Sequence, residues 1–585
     1  MHKPSPIFIL LTGISIFTAQ SPSAQASPSP TLQVEAQPLK QSQPVERELK
    51  ASETHAYKIT LEAGQFLNAA VNQRGVDVVV RVFAPDGSNI AEIDSPNGTA
   101  GDEPIALEAK TTGAYRIEIS PVEPAAQPGR YEIRVGEILS ADAYARRPAE
   151  NKRKQQAVIG WLKSNAIPLK AVEAGNGFQD LQPLKRVFKN VRFVGLGEQT
   201  HGTREFFQFK HRMLEFLVKE MGFRVFAMEA SYSACQNIND YVMGRTDDGA
   251  TALDSQGFAI WNTEEVRAML DWMREYNAGV RLDRKIKFVG FDIQVNDPGN
   301  SKLLEYLKRV APERVAETET FFKVDAGKLV KLIFFAPGDK GKEALAKLKE
   351  LKAQYNDLFA FLEISGARLA AKSSQAEYKQ MREYARVSVQ FTDCYVNARG
   401  SISALRDLYM ADNFQRIVER EPAGTRFVLW AHNAHISTGD SGRNNPGFGY
   451  HLRRFYGKDY YALGFSFNQG AFQAREAQPK DPAKPMLMSF TANPALPDSI
   501  DWCLAQAGVK TFIVDFRSGR RNAALVEWLA APHPMRSVTE RFAPSIERIS
   551  FAPTTIGKEF DGLFFIDATT RARPNSSVKN VAQAQ

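Results

Sequence analysis

Apolar residues change their rhythm along this chain. Between Thr54 and Val135 they alternate with polar ones, as in Tyr57, Ile59 and Leu61, then Val78, Val80 and Val82. Tyr115, Ile117 and Ile119 repeat the pattern, and so do Tyr131, Ile133 and Val135. A period of two sends these side chains to one face of a strand. Turn residues separate the runs, at Ala84-Pro85-Asp86-Gly87, Ser95-Pro96-Asn97-Gly98 and Thr112-Gly113. Short strands at this spacing predict a small all-β sandwich domain over 49–140.

From Val191 the apolar runs become nearly continuous and each ends in a polar residue. VRFVGLGE ends at Glu198, FRVFAME at Glu229, IKFVGFD at Asp292, RFVLWAH at His432, YALGFS at Ser466 and TFIVD at Asp515. Such runs suit parallel strands buried on both faces. Between the first two, Phe206, Phe209, Met213, Phe216 and Leu217 recur at helical spacing over Glu205–Met221, with Gly222 as the stop. Strand, helix and strand predict a βαβ unit. The domain over 158–570 therefore reads as α/β, a mostly parallel sheet flanked by helices. Its strand-end polar residues should line one edge, where open α/β sheets carry their sites. A Lys/Glu/Leu/Ala-rich stretch from 302 to 420 predicts a long helical insertion that walls or covers that edge. A polar segment over 141–157 links the two domains, and 571–585 reads as a disordered tail.

The first residues are of another kind. Lys3, the apolar stretch Ile7 to Phe17 and Ala24-Gln25-Ala26 predict a cleaved signal peptide over 1–26. The stretch is shorter than the ~20 residues that span a bilayer. A Pro/Ser/Gln/Ala-rich linker follows over 27–48. The expectation is an exported protein, periplasmic or secreted, with no membrane insertion once the signal is removed. Cys235, Cys394 and Cys503 are too few for a disulfide framework and read as core residues. Apolar residues at 43% and charged residues at 24% exclude a mainly disordered or collagen-like chain. A net charge of +8 over 585 residues, without a concentrated basic face, argues against nucleic acid as partner.

Several chemistries lose their support at once. The mature part has no G-x-S-x-G elbow, since Gly464-Phe465-Ser466-Phe467-Asn468 fails at its last position. There is no H-E-x-x-H, the third glycine of a dinucleotide fingerprint is missing after Gly195-Leu196-Gly197, and Gly338 to Lys342 makes no Walker loop. What remains is a cluster on strand ends: Glu198 and His201 after the first run, Glu229 after the second, His432 and His435 after a later one. A neutral imidazole there can take a proton from water, and a carboxylate on its other nitrogen fixes the tautomer and stabilises the charged form. His55, His211, His451 and His533 lie outside the cluster and read as structural.

The same residues carry a family resemblance. GEQTHGTREFF, the Glu of FAMEAS, Trp261-Asn262-Thr263-Glu264, Arg406-Asp407 through Met410-Ala411-Asp412-Asn413, and WAHNAHI resemble, in order, the erythromycin esterase family over roughly 160–570. The resemblance implies hydrolysis of a macrolide ring ester without a serine nucleophile. It implies His201 as the catalytic histidine, Glu198 and Glu229 as supporting acids, and His432 and His435 as the second histidine pair. Lys210 stands where the macrolide-resistance enzymes carry an arginine. The strand starts Gly113-Ala114-Tyr115 and Gly129-Arg130-Tyr131 resemble bacterial pre-peptidase C-terminal domains, which are accessory modules.

The reading is an exported hydrolase of a carboxylic ester or lactone, with a small-molecule substrate and no cofactor. His201 is the general base on a water and Glu198 orients it. Glu229 and His432 hold the water or the departing alcohol, and His435 supports them. Arg204 is the candidate for the oxyanion. Trp261, Lys210 and Glu205 are candidate substrate contacts, Trp261 as a pocket wall. Glu198, His201, Glu229, His432 and His435 are also competent ligands for zinc or manganese, which would make the protein a metal hydrolase. A third reading is a non-catalytic cell-surface binding protein working through its sandwich; the intact water-activating residues argue against it.

Overall fold

The computed structural model describes residues 35–576 except 96–98, 124–126, 295–296, 337, 398–401, 441–445 and 478–486. The predicted signal peptide, the first eight residues of the 27–48 linker, the tip of the Ser95–Gly98 turn and the last nine residues of the tail lie outside the described residues. The chain divides into two compact units at Lys152. The division falls inside a helix, Ala141–Asn165, which takes up the whole polar link.

The first unit is a sandwich of a five-stranded and a four-stranded sheet around one apolar cluster. Each alternating residue that defined the strands is buried in that cluster. The sandwich starts earlier than its periodicity predicts. Gln37–Pro38 pairs in parallel with His55–Leu61, and Val45–Leu49 pairs antiparallel with Gly129–Leu139. Leu39 and Leu49 are buried, so the end of the Pro-rich stretch is an edge of the sheet and not linker. One strand of VEREL is too short to betray a period by itself.

The second unit is built on a mixed sheet. Strands β1 (Phe193–Leu196), β2 (Val225–Ser231), β3 (Lys287–Asp292), β4 (Phe427–Trp430), β5 (Tyr460–Glu476), β6 (Thr511–Asp515) and β7 (Gly562–Thr569) run in the spatial order β6-β7-β5-β1-β4-β2-β3. All pair in parallel except β6, which is antiparallel to β7. Asp515 therefore leaves the common edge and receives the hydroxyl of Tyr461, at the opposite end of β5. The predicted strand–helix–strand pair is also opened: β4 lies between β1 and β2. Alternate strand residues feed two apolar clusters. Val194, Leu196, Phe226 and Met228 pack with helix α1 (Arg204–Met221) and helix α2 (Glu264–Ala278), whereas Phe193, Val225 and Ala227 pack toward the insertion. Gly222 ends α1 at φ 75°, a left-handed conformation that glycine adopts without a Cβ penalty.

The insertion falls between β3 and β4 as a run of helices from Asp297–Val310 to α3 (Ile402–Arg420). The tail is partly tied down. Ala572 is buried, and Arg571 and Pro574 bridge Thr203 and Thr263, behind the loops that precede α1 and α2. Backbone pairing, which polar sequence does not announce, holds it there.

The two units have separate cores. A chain beginning at Ala141 should therefore be soluble and melt in one cooperative transition by calorimetry; insolubility would show that the sandwich is integral to the second fold.

Candidate active site

The parallel order brings the ends of β1, β4, β2 and β3 side by side, and with them Glu198, His432, Glu229 and Asp292. Gly197 makes this edge tight. A Cβ there would lie 2.1 Å from Asn433 Oδ1, the oxygen that receives Phe465 N–H at 2.9 Å.

Glu198 is fully buried and saturated with donors. His201 Nδ1 donates to Oε1 at 2.6 Å and Trp261 Nε1 at 3.2 Å; Lys210 Nζ donates to Oε2 at 2.5 Å and Trp430 Nε1 at 2.8 Å. Burial by itself would raise this carboxyl, but the Lys210 charge and the His201 bond outweigh it and hold it below its usual value. Lys210 is as deeply buried, 3.9 Å from the centre of the Trp430 ring. Burial draws its ammonium down to about 8 against the pull of Glu198, so it is charged at neutral pH. Lys210 thus neutralises the acid behind the histidine and does not face a substrate, contrary to the expectation from sequence. Trp261 likewise spends its N–H on Glu198.

With Nδ1 committed to Glu198, His201 presents Nε2, which has no hydrogen-bond partner among the described residues. The His201 ring stands edge-on to Trp261, and its centre is 4.9 Å from that of His432. His432 is spent differently. Its Nδ1 accepts from Ala434 N at 3.2 Å, capping the short helix Asn433–Ile436, and its Nε2 donates to Val538 O at 3.2 Å. Burial, with His201 next to it, pushes His432 down to about 3, so it is a neutral structural imidazole. It has no lone pair left to hold a water, the role its sequence position suggested.

Glu229 accepts His432 N–H at 2.8 Å and Arg406 Nη2–H at 2.9 Å. Its Oε1 is also 3.1 Å from His435 Nε2, and His435 Nδ1 is 2.6 Å from Asp407 Oδ1. Burial opposes the charge on Glu229, yet His435 and Arg406 hold it well below the ordinary range. Burial also opposes charge on His435, but Asp407 and Glu229 push it up to about 10. The site therefore holds one imidazole of each kind: His201 with a free nitrogen, His432 neutral and capped, His435 an imidazolium.

Arg406 and Asp407 enter from the first turns of α3, at the end of the insertion. Arg406 grips Asp292 with Nε at 3.0 Å and Nη2 at 2.6 Å. Both residues stand in a motif that carries the family resemblance, without a role assigned to them from sequence. Asp292, at the end of its strand, was the available signal. Two proposed residues turn elsewhere. Arg204 Nε lies 3.1 Å from Glu265 Oε1, and Glu205 gives its carboxylate to Thr570 N and Oγ1 at 2.8 and 2.5 Å. Both fasten α1 to neighbouring segments.

Among the described residues no group of three or more His, Cys, Asp or Glu side chains is arranged to hold a metal ion. The chemistry of the donors says why: Lys210 and Arg406 already occupy the carboxylates, and His432 has used both nitrogens.

Residues 218–569 match the family described as erythromycin esterase. The match takes in Glu229, Trp261, Arg406, His432 and His435 and begins downstream of Glu198, His201 and Lys210. Erythromycin esterase type II of Escherichia coli is 24% identical over 430 residues, 70% of this chain and 97% of that protein. YbfO of Bacillus subtilis, named as a hydrolase, is 25% identical over 395 residues, 64% of this chain and 84% of that one. Among solved structures, a Bacillus cereus protein superposes with TM-score 0.62 at 24% identity, over 72% of this chain and 99% of its own. A succinoglycan biosynthesis protein superposes with TM-score 0.59 at 26% identity, over the same shares. A family match over more than half of the chain makes the relationship plain: the chain belongs to the erythromycin esterase family, and it is a hydrolase.

Proposed function

We propose that the protein hydrolyses a carboxylic ester or lactone with water activated by His201, using neither a serine nucleophile nor a metal. One observation carries this reading: the His201 imidazole has its Nδ1 locked on a buried, charge-balanced Glu198 while its Nε2 has no partner among the described residues. That arrangement fixes the tautomer and stabilises the imidazolium formed when water gives up its proton. The name of the E. coli relative supports including macrolide ring esters in the substrate class. The reading includes export, supported by Lys3, the apolar Ile7 to Phe17 and Ala24-Gln25-Ala26.

The test is a screen of the purified mature protein against macrolides, p-nitrophenyl esters and lactones, with and without a chelator. Hydrolysis of at least one ester is expected to survive prolonged chelation, with zinc and manganese far below stoichiometric by elemental analysis. Inactivity across the panel would remove the ester assignment. Stoichiometric metal, with activity lost on chelation and restored by the ion, would make His201 a ligand instead of a base.

A further inference from the structure

Arg406 offers more donors than its partners use. Nε and Nη2 are accounted for by Asp292 and Glu229. Nη1 has one polar neighbour among the described residues, His435 Nε2 at 3.1 Å. The same nitrogen lies 3.1 Å from Glu229 Oε1. A ring nitrogen cannot donate to Glu229 and accept from Arg406 at once. The other side of the ring decides between them. His435 Nδ1 is 2.6 Å from Asp407 Oδ1, an oxygen that also receives Phe448 N–H at 2.9 Å. A carboxylate on each nitrogen makes the ring an imidazolium, with one N–H directed at each. Arg406 Nη1 then meets an N–H and not a lone pair, and its two hydrogens lack an acceptor among the described residues.

The Arg406 side chain is 13% exposed, beside Glu229 at 4% and Asp292 at 0%. A chain of contacts links it to the base. His201 packs on His432, whose N–H binds Glu229, which in turn binds Arg406. The Arg204 guanidinium, by contrast, is directed at Glu265.

We propose that Arg406 is the catalytic residue that binds the oxyanion, through Nη1, during ester hydrolysis; this rests on His201 acting as the base. Water attacks the carbonyl carbon as His201 Nε2 takes its proton. The carbonyl π pair moves to oxygen, and Arg406 Nη1–H binds the resulting oxyanion. Collapse restores the C=O bond and breaks the C–O bond to the leaving group. The departing alkoxide takes the proton back from His201, which leaves an acid and an alcohol. Asp292 and Glu229 hold the guanidinium plane in place, so its donors need no reorganisation as charge develops.

The test compares Arg406→Lys, Arg406→Ala and His201→Gln in the full chain, using p-nitrophenyl acetate and the best ester of the screen. A lysine keeps a charge for Asp292 and Glu229 but has no fork to spare a donor. Arg406→Lys is expected to lower kcat about 10²–10³-fold with little change in KM, the signature of a contact made in the transition state. Inhibition by phenyl methylphosphonate, a tetrahedral anion, should weaken in parallel, and guanidinium chloride should restore part of the turnover of Arg406→Ala. A merely structural role would instead shift the melting temperature and KM and leave phosphonate selectivity unchanged. Retention of kcat within about threefold by folded Arg406→Lys overturns the proposal while His201→Gln remains inactive. A parent chain inactive on every ester removes both this and the general-base assignment.

Discussion

Replacing His201 by glutamine lowers turnover at least about 10²–10⁴-fold, the usual worth of a positioned general base, and leaves the fold intact. The loss is expected at the upper end because the described residues of the site hold no substitute. His432 has given one nitrogen to Ala434 and the other to Val538. His435 is clamped between Asp407 and Glu229. Glu198 faces four donors and is sealed from solvent. Stability should change little, since a glutamine can still donate to Glu198 and Lys210 still balances its charge. Steady-state kinetics and a thermal melt on the same preparation check the point. A folded variant with near-parental turnover would sink the base assignment.

The second large effect is on stability. Glu198 and Lys210 are both 0% exposed and paired at 2.5 Å. Removing either partner alone leaves an uncompensated buried charge, which costs about 3–5 kcal/mol. Glu198→Gln and Lys210→Met should each lower the unfolding free energy from urea titration by that amount. The double variant should recover most of the loss, since exchanging a buried pair for neutral groups of similar volume is often close to neutral. Turnover should not recover with it, because His201 then lacks the carboxylate that fixes its tautomer and stabilises its charged form. Additive destabilisation in the double variant would show that the two charges are not coupled.

The strands that carry the site were legible because buried parallel strands are written as apolar runs and the chemistry sits at their ends. Glu198, Glu229, His432 and Asp292 were found in this way, and α1 by its 3.6-residue rhythm. Strand order was not legible. Nothing in RFVLWAH says that β4 slots between β1 and β2, and TFIVD reads the same in either direction, so Asp515 was placed on the wrong edge. The oxyanion candidate was missed for a related reason. Arg204 is near His201 in sequence, whereas Arg406 is brought to Asp292 from 114 residues away by a helix that looks like part of a cover. Glu205 was read as facing substrate because its partner, Thr570, lies 365 residues on, beyond any local pattern.

The central position of β4 has a consequence for how the chain assembles. Val194 and Phe226 pair with the same residue, Val428, which is made more than two hundred residues after the first of them. While the insertion is being synthesised, β1 and β2 cannot pair with each other in the native order, and each holds an unpaired edge toward the space β4 will fill. Open edges of this kind invite pairing with other chains, and contacts this distant in sequence slow folding. The insertion must therefore be complete before the sheet can close. Because its last helix also delivers Arg406 and Asp407, appearance of activity during refolding reports the final docking event and not the earlier growth of secondary structure.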